Sequence, residues 1–115
     1  MAKLSDVMPS YTDYESVRPR ALVEDGTVFE IQSGRYIDTR FGGRVVFLIA
    51  NNTNEKRELW LSDTKYRLKM IEALDDLGEP IGPVRLEIRQ IEDADVYVFV
   101  DTESDLSTEW PSESD

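Results

Sequence analysis

Apolar and polar positions begin to alternate after Gly26, and the period sets the elements. In TVFEIQS, Phe29 and Ile31 oppose Glu30 and Gln32, a half-buried strand by its period of two. Gly34 interrupts this pattern before RYID continues it, and a glycine inside a strand marks a bulge or a sharp coil. RVVFLIA is apolar on both faces and suits a central strand, with Phe47 in the core; NNTNE is turn chemistry and KRELWLS the next strand. Ser62 or Asp63 then caps a helix whose apolar positions Tyr66, Met70, Ile71, Leu74 and Leu77 recur at helical spacing. Gly78 supplies the stop, and Pro80 and Pro83 prevent continuation. VRLEIRQI alternates again, EDAD is a short turn, and VYVFV is a last strand rich in β-branched and aromatic residues.

The predicted order is β-β-β-α-β-β: an all-β chain, a five-stranded β-barrel with one helix. It resembles the OB-fold, a five-stranded, partly open Greek-key barrel in which the helix plugs one end. An SH3-like barrel would lack the mid-chain helix, and a ferredoxin-like fold would place a helix after the first strand. Residues 1–21, with Pro9 and Pro19 and no sustained period, read as an extended arm that Tyr11, Tyr14 and Val17 tack to the body. Residues 22–101 form the OB-fold domain. Residues 102–115 show no period and little to bury, and are expected to be a disordered acidic tail.

Composition removes several function classes. The 115 residues are enough for one domain without staples, and they contain neither cysteine nor histidine. The commonest acid/base group, the commonest metal ligand and any thiolate are therefore missing. No Ca²⁺-loop spacing, phosphate-cradling glycine motif or nucleophile–base arrangement occurs, so a non-enzymatic protein without metal or cofactor is expected. No apolar run approaches the roughly 20 residues that span a bilayer, and MAKLSDVMPSYTDY lacks the apolar core of a secretory signal. Both features point to a cytoplasmic protein without a membrane partner.

Charge is distributed unevenly. The net charge is −11, from 24 acids and 13 bases. Six of the acids (Asp101, Glu103, Asp105, Glu109, Glu113 and Asp115) lie in residues 101–115, which hold no base. Between residues 35 and 69, eight bases face four acids (Asp38, Glu55, Glu58 and Asp63), a local balance of +4. Lys65, Arg67 and Lys69 of that stretch read as a solvated helix face. Arg85 and Arg89 alternate with Glu87 and read as members of cross-strand charge pairs.

The remaining bases sit among aromatics. In the loop DTRFGG, Arg40 and Phe41 would stand at the tip, with Arg44 opening the next strand and Arg35 and Tyr36 closing the previous one. On KRELWLS, Leu59 and Leu61 belong to the core, which turns Lys56 and Trp60 outward. Cations that track phosphates and flat rings that stack on bases are the two components of single-strand binding. In an OB barrel, strands 2 and 3 and the loops joining strands 1–2 and 4–5 carry them. The candidate nucleic-acid-binding residues are therefore Arg35, Tyr36, Arg40, Phe41, Arg44, Lys56 and Trp60.

The stretches LVEDGTVFEI, RFGGRVVF, NEKRELWLSDTKYRLKMI and VYVFV, followed by an acidic tail, resemble the OB-fold single-stranded-DNA-binding proteins of bacteriophages across about residues 22–101. The resemblance implies a sequence-tolerant protein of DNA replication or recombination, acting in the host cytoplasm. It also implies an acidic tail that recruits replication or recombination proteins. Bacterial members end on an apolar residue after the acids; here the run is SESD, and its apolar element is Trp110-Pro111. The net charge opposes DNA encounter, which a tail folding over the basic strip would reconcile. Two alternatives stay open. The same Arg and Trp residues suit an OB-fold protein–protein interaction module, and RNA could replace DNA. Oligomeric state is also open, since VYVFV or the arm could add a strand to a second copy and give a homodimer.

Overall fold

The computed structural model describes residues 14–112. Five strands form one antiparallel sheet: β1 (Val28–Thr39), β2 (Gly42–Ala50), β3 (Lys56–Ser62), β4 (Ile81–Ile91) and β5 (Ala94–Asp101), in the spatial order β3-β2-β1-β4-β5. Helix α1 (Pro19–Asp25) precedes them, and α2 (Lys65–Leu77) lies between β3 and β4. The β-β-β-α-β-β order is therefore present, in an all-β, barrel-like, OB-like architecture with, among the described residues, one helix more than expected. β3 and β5 terminate the sheet, with no ladder joining them among the described residues.

Alternation decides which side chains fill the interior. Phe29, Ile31, Val45, Phe47, Ile49, Leu59, Leu61, Val84 and Leu86 are buried there, with Leu22 of α1 and Leu74 of α2 closing the core. Phe99 of β5 meets Phe47 and Phe29 edge-on, with ring centroids 5.3 and 6.1 Å apart. Such geometry suits the ring quadrupoles.

Gly34 acts differently from the expectation. The register shift in β1 falls between Ile31 and Ser33, upstream of the glycine. A Cβ on Gly34 would stand 3.0 Å from both Ile71 and Phe47, so its hydrogen lets α2 settle against the sheet. The N-cap of α2 is neither Ser62 nor Asp63 but Thr64, whose side chain accepts from the Arg67 backbone N–H. Its inward face is Arg67, Met70, Ile71 and Leu74, whereas Tyr66 and Leu77 are exposed.

The expected boundary between residues 21 and 22 falls inside α1, whose Pro19 at the first turn and Gly26 in the left-handed conformation after the last are ordinary helix punctuation. Tyr11 lies outside the described residues. Val17 is buried, as a tacking residue should be. Just before α1, Ser16 runs parallel to Glu58, so that Glu58 N–H donates to Glu15 O and Val17 N–H to Glu58 O, both at 2.9 Å. This occupies the outer edge of β3 at Glu58.

The β4–β5 hairpin turns through Glu92 and Asp93, both at positive φ (49° and 65°). A two-residue turn of that shape favours Asn-Gly. Asp93→Gly is accordingly expected to raise unfolding stability by roughly 0.5–1 kcal/mol, read as a shifted urea midpoint at constant slope.

Candidate nucleic-acid interface

The register of β1, β2 and β3 builds the site. Arg35 stands opposite Val46, which stands opposite Trp60, so the three form one row across the sheet. The next row is Ile37, Arg44 and Ser62; on the other side is Ser33, Leu48 and Glu58. Because alternate residues share a face, Arg35, Arg44, Lys56 and Trp60 all project from the outer surface, opposite the face that buries Phe47, Leu59 and Leu61. Lys56 and Trp60 turn outward as their alternation with the leucines requires.

Among the described residues of β3, one acid belongs to this face. Glu58 is 1% exposed and accepts from Arg35 Nη2 at 2.9 Å and from Trp60 Nε1 at 3.4 Å. The buried carboxylate thus holds the guanidinium and the indole beside each other above Val46. The Arg44 guanidinium donates to Gly43 O, and the Lys56 ammonium lies 5.9 Å from the Tyr14 ring centroid. Arg35, Arg44 and Lys56 thus set three cations of this outer patch against the Glu58 carboxylate.

At the far end of the β1–β2 hairpin, Arg40 and Phe41 form the tip. Phe41 is 79% exposed, and the Arg40 guanidinium lies 5.8 Å from its ring centroid. The Thr39 hydroxyl donates to Gly42 O at 2.6 Å and accepts from Phe41 N–H at 3.2 Å, closing the turn. Gly42 takes φ 106°, a value that excludes a side chain.

Tyr36 does not join the others. It precedes Ile37 and follows Arg35, so it points to the opposite face, where it is half exposed beyond the end of the core. Its ring lies across Gly43: a Cβ there would come within 2.5 Å of the Tyr36 hydroxyl, 2.7 Å of Asp63 Oδ2 and 2.8 Å of Tyr36 Cε2. The seven candidates therefore fall into three places: an outer patch of Arg35, Arg44, Lys56 and Trp60, a tip of Arg40 and Phe41, and an inner ring at Tyr36.

Of the other bases of the central stretch, Lys65 and Lys69 are exposed on α2, as expected, and the remaining two are engaged elsewhere. Arg57 pairs with Glu55 at 2.7 Å and Glu15 at 3.7 Å. Arg67, read from sequence as solvated, is 4% exposed and spans the seam between β3 and β5: Nη1 donates to Ser62 O at 2.7 Å and Ser62 Oγ at 3.0 Å, and Nη2 to Tyr97 O at 2.9 Å. Burial lowers its pKa from the ordinary value, yet a guanidinium keeps its proton at any working pH. On β4, Arg85 and Arg89 pair not across strands but with Glu87 of their own strand, at 2.7 and 3.4 Å, and these hydrogen bonds hold the Glu87 carboxyl below its ordinary pKa.

Residues 102–112 also depart from expectation. Ser107 pairs with Val28, its N–H donating to Val28 O and its hydroxyl accepting from Val28 N–H, both at 2.9 Å. Ser107 O and Thr108 O accept from Asn52 N–H and the Asn51 amide. Trp110 donates to Glu55 O at 2.9 Å and packs its ring 6.3 Å from that of Phe29. The segment expected to be disordered is thus seated at the end of the sheet where β1 begins. Because β1 runs 12 residues, about 36 Å at a strand's rise, the hairpin tip lies at the opposite end. This placement is incompatible with residues 102–112 shielding Arg40 and Phe41.

No helix among the described residues is long and apolar enough to cross a membrane. No protein-family model, curated protein or solved structure matches the chain.

Proposed function

We propose that the chain is a non-catalytic, sequence-tolerant single-stranded-DNA-binding protein, of the kind that serves phage-type DNA replication or recombination in the host cytoplasm. The observation that carries this reading is the row of Arg35 and Trp60 over Val46, flanked by Arg44 and Lys56 on one sheet face. A stacked base gains roughly 1–3 kcal/mol on such a ring. The cations beside it neutralise phosphates and release their counterions, a contribution that requires no particular sequence. The exposed Arg40–Phe41 tip extends the same chemistry along the hairpin. Acids elsewhere on the surface oppose encounter at long range, while screening beyond about 8 Å at physiological salt leaves the local patch to act.

Titration of the full chain with fluorescently labelled oligo-dT, at two salt concentrations, tests this. Engagement of three to four phosphates predicts a log–log salt slope of about −2 to −3. Trp60→Ala is expected to weaken binding about tenfold, the loss of one stacked base. Competition with oligo-U separates DNA from RNA. Absence of binding at low salt would remove the nucleic-acid reading and leave the patch as a protein-docking surface.

A further inference from the structure

The inner face of the β1–β2 hairpin carries a second group of chemically coherent side chains, separate from the outer patch. Tyr36 lies against Gly43, where only a hydrogen on Cα leaves room for the ring; its hydroxyl and Asp63 Oδ2 both come within 3 Å of the place a Cβ would occupy, at 2.5 and 2.7 Å. One side of the phenol is thereby fixed by backbone, and the residue remains 49% exposed. Asp63 is exposed, and among the described residues its carboxylate has no hydrogen bond or ion pair. A flat ring held on one side, with an acceptor-only group at its polar edge, is suited to a planar ligand that offers an N–H donor.

Resting on the reading of the protein as a single-strand binder, we infer that Tyr36 and Asp63 form a base-reading subsite for a nucleobase with an exocyclic amine, with cytosine as the best fit. The base stacks on the open side of Tyr36 and donates its amino N–H to the Asp63 carboxylate. Carboxylates accept from the cytosine N4 amino group in this way. Thymine presents a carbonyl oxygen at the corresponding position and meets the carboxylate as acceptor against acceptor. The carboxylate also repels phosphate, so the backbone passes on the far side of the base, towards Arg40 at the hairpin tip. A strand that stacks on Trp60 and on Tyr36 must turn round the hairpin tip, because the two rings project from opposite faces. The exposed Phe41 stands on that path.

The test compares labelled dC and dT oligonucleotides of equal length, at pH 8 to keep cytosine unprotonated, on the full chain and on Asp63→Ala. The full chain is expected to prefer dC about fivefold, one charge-assisted hydrogen bond at an exposed site. Asp63→Ala should abolish the preference while dT binding holds or strengthens, since a negative charge beside the backbone is gone. Gly43→Ala, which displaces the Tyr36 ring, should lose the preference as well while binding through Trp60 persists. Equal binding of dC and dT by the full chain, or a preference unchanged in Asp63→Ala, overturns the subsite and leaves the outer patch standing. Failure of both oligonucleotides to bind overturns the single-strand reading and the subsite with it.

Discussion

Replacing Arg67 with methionine is expected to lower the unfolding free energy by about 3 kcal/mol, the largest loss from any single side chain outside the apolar core. Methionine keeps most of the stem and removes the guanidinium, so the change isolates the polar span of the seam. Two backbone carbonyls, on Ser62 and Tyr97, and the Ser62 hydroxyl lose their donor together. Hydrogen bonds from a charged group contribute about 1.5–3 kcal/mol each, and water entering the seam recovers part of that sum. The melting temperature should fall by roughly 10 °C. Arg67→Lys should recover less than half of the loss, since a single ammonium lacks the planar fork that reaches both strands. Urea denaturation of the two variants decides the matter. A methionine variant within about 0.5 kcal/mol of the parent, the range of an ordinary surface change, would mean that the seam holds without it.

Ending the chain at Asp101 is the second large effect, an expected loss of about 3–4 kcal/mol. The removed segment supplies the ring that packs on Phe29 and the pairing of Ser107 with Val28. Partial burial of an indole contributes about 2 kcal/mol by apolar area, and the hydrogen bonds from Ser107, Thr108 and Trp110 add about 0.5–1.5 each before solvent exchange is counted. Trp110→Ala alone should account for about half of the loss. A truncated chain with an unchanged urea midpoint would show that residues 102–112 merely rest on the body. Binding of oligo-dT per folded molecule should tighten little on truncation, because the seated segment lies at the far end of β1 from the hairpin tip and meets the outer patch only beside Lys56, where Trp110 donates to Glu55 O.

These two residues also show where sequence reading stops. Period-two alternation in TVFEIQS and VRLEIRQI, the doubly apolar RVVFLIA and the helix punctuation at Gly78 are local signals, and the strands and α2 follow from them. The outward pairing of Lys56 and Trp60 follows as well, because their leucine neighbours must be buried. Arg67 was illegible for a physical reason: its partners are backbone carbonyls, which every residue carries and which only the fold brings together. The stripe expected through Tyr66 therefore passes through Arg67 instead, while Met70, Ile71 and Leu74 face inward as their spacing predicts. Ser107 and Trp110 were hidden in the same way within an acid-rich stretch whose charges simply face water. α1 was within reach, since Pro19 and Gly26 bracket ALVED and Leu22 is its buried residue. The separation of Tyr36 from Arg35 was legible too, because neighbours on one strand face opposite ways.

The arm beside β3 has a consequence for how copies of this chain can join. A sheet with two bare edges has a valence of two, and edge-to-edge addition can run on without limit. Here residues 15–17 occupy the outer edge of β3 at Glu58, and the Arg67 guanidinium holds Tyr97 O on β5. Each terminal strand of the sheet thus has part of its hydrogen-bonding capacity already taken. A second copy adding a strand at either end must first displace one of these contacts, which disfavours open-ended, edge-to-edge growth.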